Sequence, residues 1–180
     1  GIHLTYLPFF IKSVVMALKK YPKFNSQLSE SNKEIIVNNN YNIGVAVDTE
    51  EGLLVPVIKD ADKKSITELA KEIVDLATRA KERKLGVEDM KGGTFTITNI
   101  GSIGGNVFTP VINYPESAIL GMGKIRDEPV VRDGKITVRK LMTLSLTFDH
   151  RVADGAEAAR FTNEIIEHLE DPDLLFMEMM

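Results

Sequence analysis

Three segments of the chain repeat apolar residues at helical spacing. The first predicts a helix near residues 6–20, with Thr5 as its N-cap and two lysines before Pro22 as its basic end. Pro8 is tolerated there because it falls in the first turn. The predicted buried face consists of Leu7, Phe10, Ile11, Val14, Val15 and Leu18.

The other two helical segments are predicted from about 66 to a basic end at 81–84, and over 156–169. Ser65 and Glu68 form a capping-box pattern, and Gly86 follows the basic end of the same helix as a stop signal. Its predicted buried stripe is Ile66, Leu69, Ile73, Leu76, Ala77 and Ala80. The last helix is predicted to bury Ala159, Ile165, Ile166 and Leu169. We expect His168, near its C-terminal end, to lie on the surface.

Short apolar and alternating runs predict strands between these helices. The predicted strands are 34–37, 41–49, 53–58, 94–98, 117–125 and 141–148. Asp133-Gly134, between the apolar runs 129–131 and 136–138, predicts a hairpin. Pro56 indicates an edge strand or a bulge, and residues 23–33 are expected to form a polar loop.

The order of these elements is helix, several strands, helix, several strands, helix. Strands joined by turns predominate, which favours an α/β fold of the α+β type, a mixed or mostly antiparallel sheet with helices on one face. A glycine-rich loop at 99–106 follows one strand. Because no helical pattern follows this loop, a tight turn with close backbone approach is favoured over a phosphate cradle.

Composition narrows the possible functions. The 180 residues are 43% apolar and 27% charged, with a net charge of −4. Such a mild, interspersed charge gives no basic surface for nucleic acid or anionic membranes, and no apolar run predicts a transmembrane helix. The absence of cysteine excludes disulfides, thiolate metal ligands and a cysteine nucleophile. The N-terminus does not show the pattern of a signal peptide.

The densest titratable chemistry lies in residues 149–155, between the last predicted strand and the last helix. Loops that leave strands commonly present reactive groups. Three interpretations stay open from the residues alone. A metal site is the weakest, because no second histidine is near and cysteine is absent. In the second interpretation His150 is a core histidine beside an Arg151–Asp154 ion pair. In the third it is a general base, since histidine titrates near neutrality.

This segment resembles the signature of the dihydrolipoamide acyltransferases, the core components of the 2-oxo acid dehydrogenase complexes. Their motif is Asp-His-Arg, two variable residues, then Asp-Gly. Its fixed positions are present as Asp149, His150, Arg151, Asp154 and Gly155. Other blocks resemble the family in the same order, so the resemblance covers nearly the whole chain. These blocks are 7–12, 42–47, 52–58, 95–99 and 114–121.

The resemblance implies a fold similar to chloramphenicol acetyltransferase and a homotrimer that assembles into a large hollow core. An acyl group would pass between a lipoyl group, carried on another domain, and coenzyme A, without a metal. The implied partners are the lipoyl domain, the 2-oxo acid decarboxylase and dihydrolipoamide dehydrogenase. The implied setting is cytoplasmic, or the mitochondrial matrix in a eukaryote.

The resemblance also implies residue roles. His150 would be the general base that takes the proton of the coenzyme A thiol. Thr98 would stabilise the oxyanion, in the reaction of a neighbouring subunit. Asp154 would form an ion pair that fixes the loop. The supporting residues would be Asp149, Arg151, Gly155 and Asn99.

Residues 1–180 are thus expected to form a single catalytic core domain that lacks an upstream segment. The family has an arginine in that segment that pairs with the carboxylate matching Asp154, so we expect reduced or no activity without it. The apolar tail at 174–180 is expected to dock either on its own domain or on another subunit, and in the second case it is the candidate contact between trimers. Two alternatives remain: an inactive scaffold of the same complex, and a chloramphenicol-type acetyltransferase, which would carry a second histidine where this chain has Asp149.

Overall fold

The computed structural model describes residues 4–31 and 33–179. Within these ranges the helices are α1 (Leu7–Lys20), α2 (Ile66–Lys81), α3 (Gly155–Glu170) and α4 (Pro172–Glu178). The strands are β1 (Ser26–Leu28), β2 (Ile35–Val37), β3 (Ile43–Val45), β4 (Val47–Thr49), β5 (Gly52–Leu54), β6 (Val57–Ile58), β7 (Phe95–Asn99), β8 (Ala118–Met122), β9 (Arg126–Arg132), β10 (Lys135–Leu141) and β11 (Leu144–Phe148). None of these helices is both long and apolar enough to cross a lipid bilayer.

A five-stranded mixed sheet forms the centre of the fold, with the strand order β11–β8–β7–β3–β6. The three inner strands β8, β7 and β3 are parallel to one another. The edge strands β11 and β6 pair antiparallel with β8 and β3. The remaining strands form the two-stranded pairs β1–β2, β4–β5 and β9–β10. The mixed sheet predicted from the sequence is therefore confirmed.

The two faces of the central sheet differ in chemistry, because successive side chains of a strand point to opposite faces. On one face Phe95 and Ile97 are buried in a cluster with residues of α1 and α3. The Phe95 ring centroid lies 5.9 Å from that of Phe161 on α3. The paired positions of the opposite face include the small and polar residues Gly44, Thr96, Thr98, Gly121, Ser145 and Thr147. Apolar burial thus holds the helices on one face and leaves polar groups on the other.

Two strands predicted as continuous are each divided. The predicted strand 41–49 forms β3 and β4, which belong to different sheets and are separated by Ala46. The predicted strand 53–58 is interrupted at Pro56, which lacks the N–H that a strand ladder requires. The β4–β5 hairpin thereby leaves the central sheet, and β6 becomes its edge strand. The edge position indicated by Pro56 is confirmed.

The segment between α1 and β2 was wrongly predicted as a polar loop. Pro22–Asn25 form a 3₁₀ turn, and β1 pairs antiparallel with β2. Phe24 is 1% exposed, and its ring stacks on that of Phe161 with 4.5 Å between centroids. This one apolar residue anchors an otherwise polar segment to the core. The predicted Thr5 cap is also wrong, because Tyr6 occupies the N-cap of α1 and makes no side-chain cap.

The start of α2 is as predicted, whereas its end is not. Ser65 Oγ accepts a hydrogen bond from the Glu68 N–H at 3.2 Å, and the Ser65 N–H donates to Glu68 Oε2 at 2.8 Å. The capping box is therefore confirmed. The helix ends at Lys81, well before Gly86, and Arg83 adopts a positive φ of 59° beyond its end.

The buried face of α3 is rotated relative to the prediction. Ala159 and Ile166 are exposed, and the buried residues are Ala158, Phe161, Glu164, Ile165 and His168. The surface position expected for His168 is wrong. Its side chain is 1% exposed, and its Nε2 lies 2.9 Å from Oε2 of Glu178. The cause is α4, which packs against α3.

Candidate active site

The motif turn is fixed by its connection to the central sheet. The Asp149 N–H donates to the Ser117 carbonyl at 2.8 Å, and the Val152 N–H donates to the Asp149 carbonyl at 2.9 Å. The first bond continues the pairing of β11 with β8, which ends at Phe148 and Ala118. The register of these two strands therefore determines where His150 is presented.

Asp149 and Arg151 form a forked ion pair within this turn. Arg151 Nη2 lies 2.6 Å from Asp149 Oδ2, and Arg151 Nε lies 2.9 Å from Oδ1. The hydrogen bonds from the guanidinium are the main cause that lowers the pKa of Asp149. This pairing differs from the Arg151–Asp154 ion pair of the structural interpretation, because Asp154 points to the start of α3.

Asp154 caps the helix that follows the motif. Its Oδ1 accepts a hydrogen bond from the Glu157 N–H at 2.8 Å. This backbone hydrogen bond is the main cause that lowers the pKa of Asp154. Gly155 is the first residue of α3, and open space surrounds the place where its Cβ would lie. Asp154 therefore fixes the exit of the turn through the helix N-terminus.

His150 is exposed at the edge of the sheet. Its ring centroid lies 5.4 Å from that of Phe148, which in turn packs edge-on against Phe24 at 6.1 Å. The imidazole is thus accessible, while the aromatic group beside it is anchored in the core. The interpretation of His150 as a buried core histidine is wrong for this chain.

Thr98 lies near the end of β7 on the polar face of the sheet. It is level with Gly121 of β8, which is level with Ser145 of β11. Its side chain borders a cavity of about 920 Å³ between the β4–β5 hairpin, α2 and the glycine-rich loop. A cavity of this size accommodates a small molecule. The lining residues include Val47, Leu53, Ile73, Lys81 and Ile103.

Thr98 and His150 do not meet within one chain. Thr98 is level with Ser145, and His150 follows Ser145 by five positions toward the opposite end of the sheet. At the usual rise of a strand this is roughly 16 Å along the sheet, with two strand spacings of about 5 Å between them. The structure therefore places the two predicted catalytic residues in separate regions of the chain.

The glycine-rich loop packs its backbone against the end of β8. Asn99 Oδ1 accepts a hydrogen bond from the Gly101 N–H at 2.9 Å, and a Cβ on Gly101 would overlap the Gly123 carbonyl. The Lys124 N–H donates to the Gly105 carbonyl at 2.8 Å. The predicted close backbone approach is confirmed. Asn99 is followed by a three-residue 3₁₀ turn, so the loop does not lead into an α-helix that would hold a phosphate.

Sequence reasoning missed a buried carboxyl group at the start of β8. Glu116 is 7% exposed, and its burial raises its pKa to about 7, although hydrogen bonds from Thr96 and Asn113 oppose this effect. A charged residue directly before an apolar strand was the available signal. Burial could not be read from that signal, since it depends on the loops that cover this end of the sheet.

A second cluster of titratable residues joins α1, α3 and α4. Lys20 Nζ lies 2.7 Å from Glu164 Oε2, and His168 Nε2 lies 2.9 Å from Glu178 Oε2. Ligand atoms of Glu164, His168 and Glu178 lie within 4.8 Å of one another, as a metal ion would require. Lys20 already supplies the positive charge that a metal ion would bring to this cluster. None of the motif residues 149–155 belongs to the cluster. We interpret it as an ion-pair cluster that holds α4.

The central sheet defines the class of fold. A solved structure of chloramphenicol acetyltransferase matches with a TM-score of 0.55 and 18% sequence identity. The match covers 89% of this chain and 76% of that protein. The fold is therefore of the chloramphenicol acetyltransferase type, as predicted.

Closer matches define the family. The family of 2-oxoacid dehydrogenases acyltransferase catalytic domains matches residues 1–177, so this chain belongs to that family. The solved dihydrolipoamide acetyltransferase of Azotobacter vinelandii matches with a TM-score of 0.94 and 46% identity, over 98% of this chain and 72% of that one. A truncated catalytic core of the 2-oxoacid dehydrogenase multienzyme complex from Thermoplasma acidophilum matches with a TM-score of 0.84 and 46% identity, over 94% and 76%. The predicted family is confirmed.

Among curated proteins, the dihydrolipoyllysine-residue acetyltransferase component of the pyruvate dehydrogenase complex of Bacillus subtilis is 53% identical over 178 residues. That match covers 99% of this chain and 40% of the relative. The Staphylococcus epidermidis protein of the same name is 52% identical, over 99% of this chain and 41% of its own length. The chain therefore spans about two fifths of the curated relatives that it matches.

Proposed function

We propose that this chain forms the catalytic core of a dihydrolipoamide acyltransferase, which transfers an acyl group between dihydrolipoamide and coenzyme A. The observation that carries this proposal is the exposed His150, presented at the end of β11 by a complete family motif. An acetyl group is the proposed cargo, because the relatives at 53% and 52% identity are acetyltransferases.

The chemistry requires a base and an oxyanion donor. A thiol with a pKa of about 8.5 is mostly protonated at neutral pH, so His150 takes the proton of the coenzyme A thiol as it attacks. The new carbon–sulfur bond forms at the acyl carbonyl, whose oxygen becomes anionic and accepts a hydrogen bond from the Thr98 hydroxyl. The bond to the dihydrolipoamide sulfur then breaks, and that sulfur receives the proton from His150. No protein nucleophile is needed.

The separation of Thr98 from His150 supports a site shared between subunits. We propose that His150 of one subunit acts with Thr98 of its neighbour in a homotrimer, and that trimers build a hollow core. A relative of this chain forms the cubic core of the pyruvate dehydrogenase multienzyme complex. The proposed partners are the lipoyl domain, the 2-oxo acid decarboxylase and dihydrolipoamide dehydrogenase.

One solved relative adds support for the residue roles. The Azotobacter vinelandii enzyme was studied for the catalytic roles of a serine, a histidine and an asparagine. These residues have the same separations along that chain as Thr98, His150 and Asp154 have here. The hydroxyl and the imidazole are shared, whereas a carboxylate replaces the amide at Asp154.

The proposal is tested by acetyl transfer from acetyl-coenzyme A to dihydrolipoamide in the intact protein. We expect His150→Ala to lower kcat by about a hundredfold or more, the usual contribution of a general base. Particle mass and thermal midpoint should not change, because the side chain is exposed. His168→Gln is the matched control, since it alters the buried histidine outside the motif and should retain transfer in the folded fraction.

Two results would contradict the proposal. Full activity of His150→Ala would remove His150 from the mechanism. Acetyl transfer to chloramphenicol without transfer to dihydrolipoamide would instead identify a free-standing acetyltransferase. If the wild-type assembly forms but transfers nothing, the scaffold alternative is correct.

A further inference from the structure

Glu116 lies at the start of β8, at the end of the sheet where the motif turn begins. It directly precedes Ser117 and β8, the strand that separates β7, which carries Thr98, from β11, which leads to His150. Glu116 is 7% exposed, and among the described residues it has no cationic partner, which is unusual for a buried carboxylate. No part of the proposed chemistry uses this residue.

Its first set of contacts leads to β7. Asn113 Nδ2 donates to Glu116 Oε1 at 3.2 Å and to Thr96 Oγ1 at 3.5 Å. Thr96 is 1% exposed. Thr96 and Thr98 point to the same face of β7, because side chains two positions apart share a face. The carboxyl group is therefore linked to the strand that presents Thr98 through the Asn113 amide and through a hydrogen bond with Thr96.

The residue that follows Glu116 connects it to the motif turn. The carbonyl of the next residue, Ser117, accepts the hydrogen bond from the Asp149 N–H at 2.8 Å. Glu116 also borders a small cavity of about 170 Å³, together with Asp149 and Arg151. A shift of the Glu116 backbone would therefore be transmitted to the turn that presents His150.

The carboxyl group has one oxygen that is not satisfied. Oε2 is buried and has no hydrogen-bond partner among the described residues. Gly93 closes over the other oxygen, since a Cβ there would lie 2.7 Å from Oε1. Burial raises the pKa of Glu116 to about 7. The charged residues that border the adjoining cavity are Glu30, Asp149 and Arg151, of which the last two pair with each other.

We propose that Glu116 is a positioning residue for acyl transfer, whose ionised carboxylate aligns Thr98 through Asn113 and Thr96, and His150 through Ser117. This inference rests on the proposed function. When the carboxyl group is protonated, its oxygen accepts the Asn113 hydrogen bond less strongly. The loop that contains Asn113 and the strand β7 then hold Thr98 less firmly in the alignment that acyl transfer requires.

The test compares Glu116→Gln with the wild-type intact protein in acetyl transfer to dihydrolipoamide between pH 6 and pH 8.5. The amide reproduces the shape of the protonated carboxyl group and cannot ionise. We expect kcat of the variant to be about tenfold lower at pH 8, from the loss of one charged hydrogen bond, and within about twofold of wild type at pH 6. The KM for coenzyme A should not change.

The ratio of variant to wild-type kcat is the decisive quantity, because pH effects that are common to both proteins cancel in it. A ratio that stays constant with pH would overturn the proposal, since a merely structural defect lowers kcat equally at every pH. If Glu116→Gln does not fold, Thr96→Val removes one acceptor of the Asn113 amide without altering charge, and it should reproduce the loss at pH 8. His150→Ala in the same assay tests the proposed function separately.

Discussion

Thr98 and His150 stand at opposite ends of the same sheet, because β11 runs antiparallel to β8 whereas β7 runs parallel to it. The two residues therefore cannot act on one thioester within a single chain. A catalytic site that uses both must take them from different subunits. This relationship leads directly to a test of the proposed assembly.

Mixed assemblies of two inactive variants should recover activity. When His150→Ala and Thr98→Val chains are mixed in equal amounts and assembled together, about one quarter of the shared sites combine both native residues. We expect transfer near that fraction of the wild-type rate, measured on particles purified after co-expression. Particles of each variant alone are the controls. Recovery no greater than the average of these controls would argue against a shared site.

Replacing Thr98 should separate chemistry from binding. Thr98→Val removes the hydroxyl and keeps the shape, so kcat should fall by about a hundredfold while the Kd for coenzyme A stays unchanged. Thr98→Ser is the matched control and should retain most activity, because it keeps the donor. Steady-state kinetics and calorimetric titration with coenzyme A provide the measurements. Equal losses in kcat and in binding would contradict the oxyanion role.

The cap at Asp154 predicts a difference between two substitutions. Asp154→Asn keeps an oxygen that accepts the Glu157 N–H, so the thermal midpoint should hardly change. Asp154→Ala removes the cap and should lower the midpoint by about 3 °C. Differential scanning calorimetry at one subunit concentration distinguishes these outcomes. Identical midpoints for both variants would show that the cap does not stabilise α3.

Burial of Glu116 predicts the pH dependence of stability. Its pKa is raised from 4.5 to about 7, so between these pH values the folded state holds a proton that the unfolded state has lost. The free energy of unfolding should therefore fall as pH rises from 4.5 to 7, by up to about 3 kcal/mol from this group. Glu116→Gln should lack this fall, and urea unfolding of both proteins at pH 5 and pH 8 measures the difference. Parallel stability curves would contradict the assignment.

The C-terminal helix α4 should stabilise its own subunit and also form the contact between trimers. Two substitutions separate these roles. Leu175 is 1% exposed, whereas Met177 is 62% exposed. Leu175→Ala should destabilise the subunit by about 2–5 kcal/mol, the usual cost of truncating a buried leucine. Met177→Glu should leave the subunit stable and reduce the assembled core to trimers, measured as particle mass by light scattering. An unchanged particle mass would show that this tail does not form the contact between trimers. Met180, which also belongs to the predicted tail, lies outside the described residues.

Local patterns were read correctly where neighbouring residues alone decide the structure. The capping box at Ser65 and Glu68 depends on residues three positions apart, and the hairpin at Asp133-Gly134 depends on two residues with positive φ of 52° and 72°. Helical spacing located α1 and α3 in the same way. The motif at 149–155 could be found because its residues are consecutive.

Non-local packing decided the rest. His168 is buried because α4 packs against α3, and Glu116 is buried because strands and loops from distant parts of the chain cover it. Residues 41–49 are divided between two sheets because β3 and β4 pair with different strands. The alternation of apolar and polar residues along 41–49 does not specify these partners. The carboxylate that pairs with Arg151 is likewise decided by the fold of the turn. Asp154 caps α3, so Asp149 is the carboxylate beside the guanidinium.

For this protein the sequence by itself located the helices α1, α2 and α3, the hairpin, the family and His150 as the leading catalytic candidate. Tertiary structure alone decided that Thr98 lies at the other end of the sheet from His150, and that the buried Glu116 shares the Asn113 amide with Thr96 of β7. The physical reason is that strand order and register are set by burial of apolar surface among distant segments. A motif specifies which groups are available, whereas the sheet specifies which of them can meet.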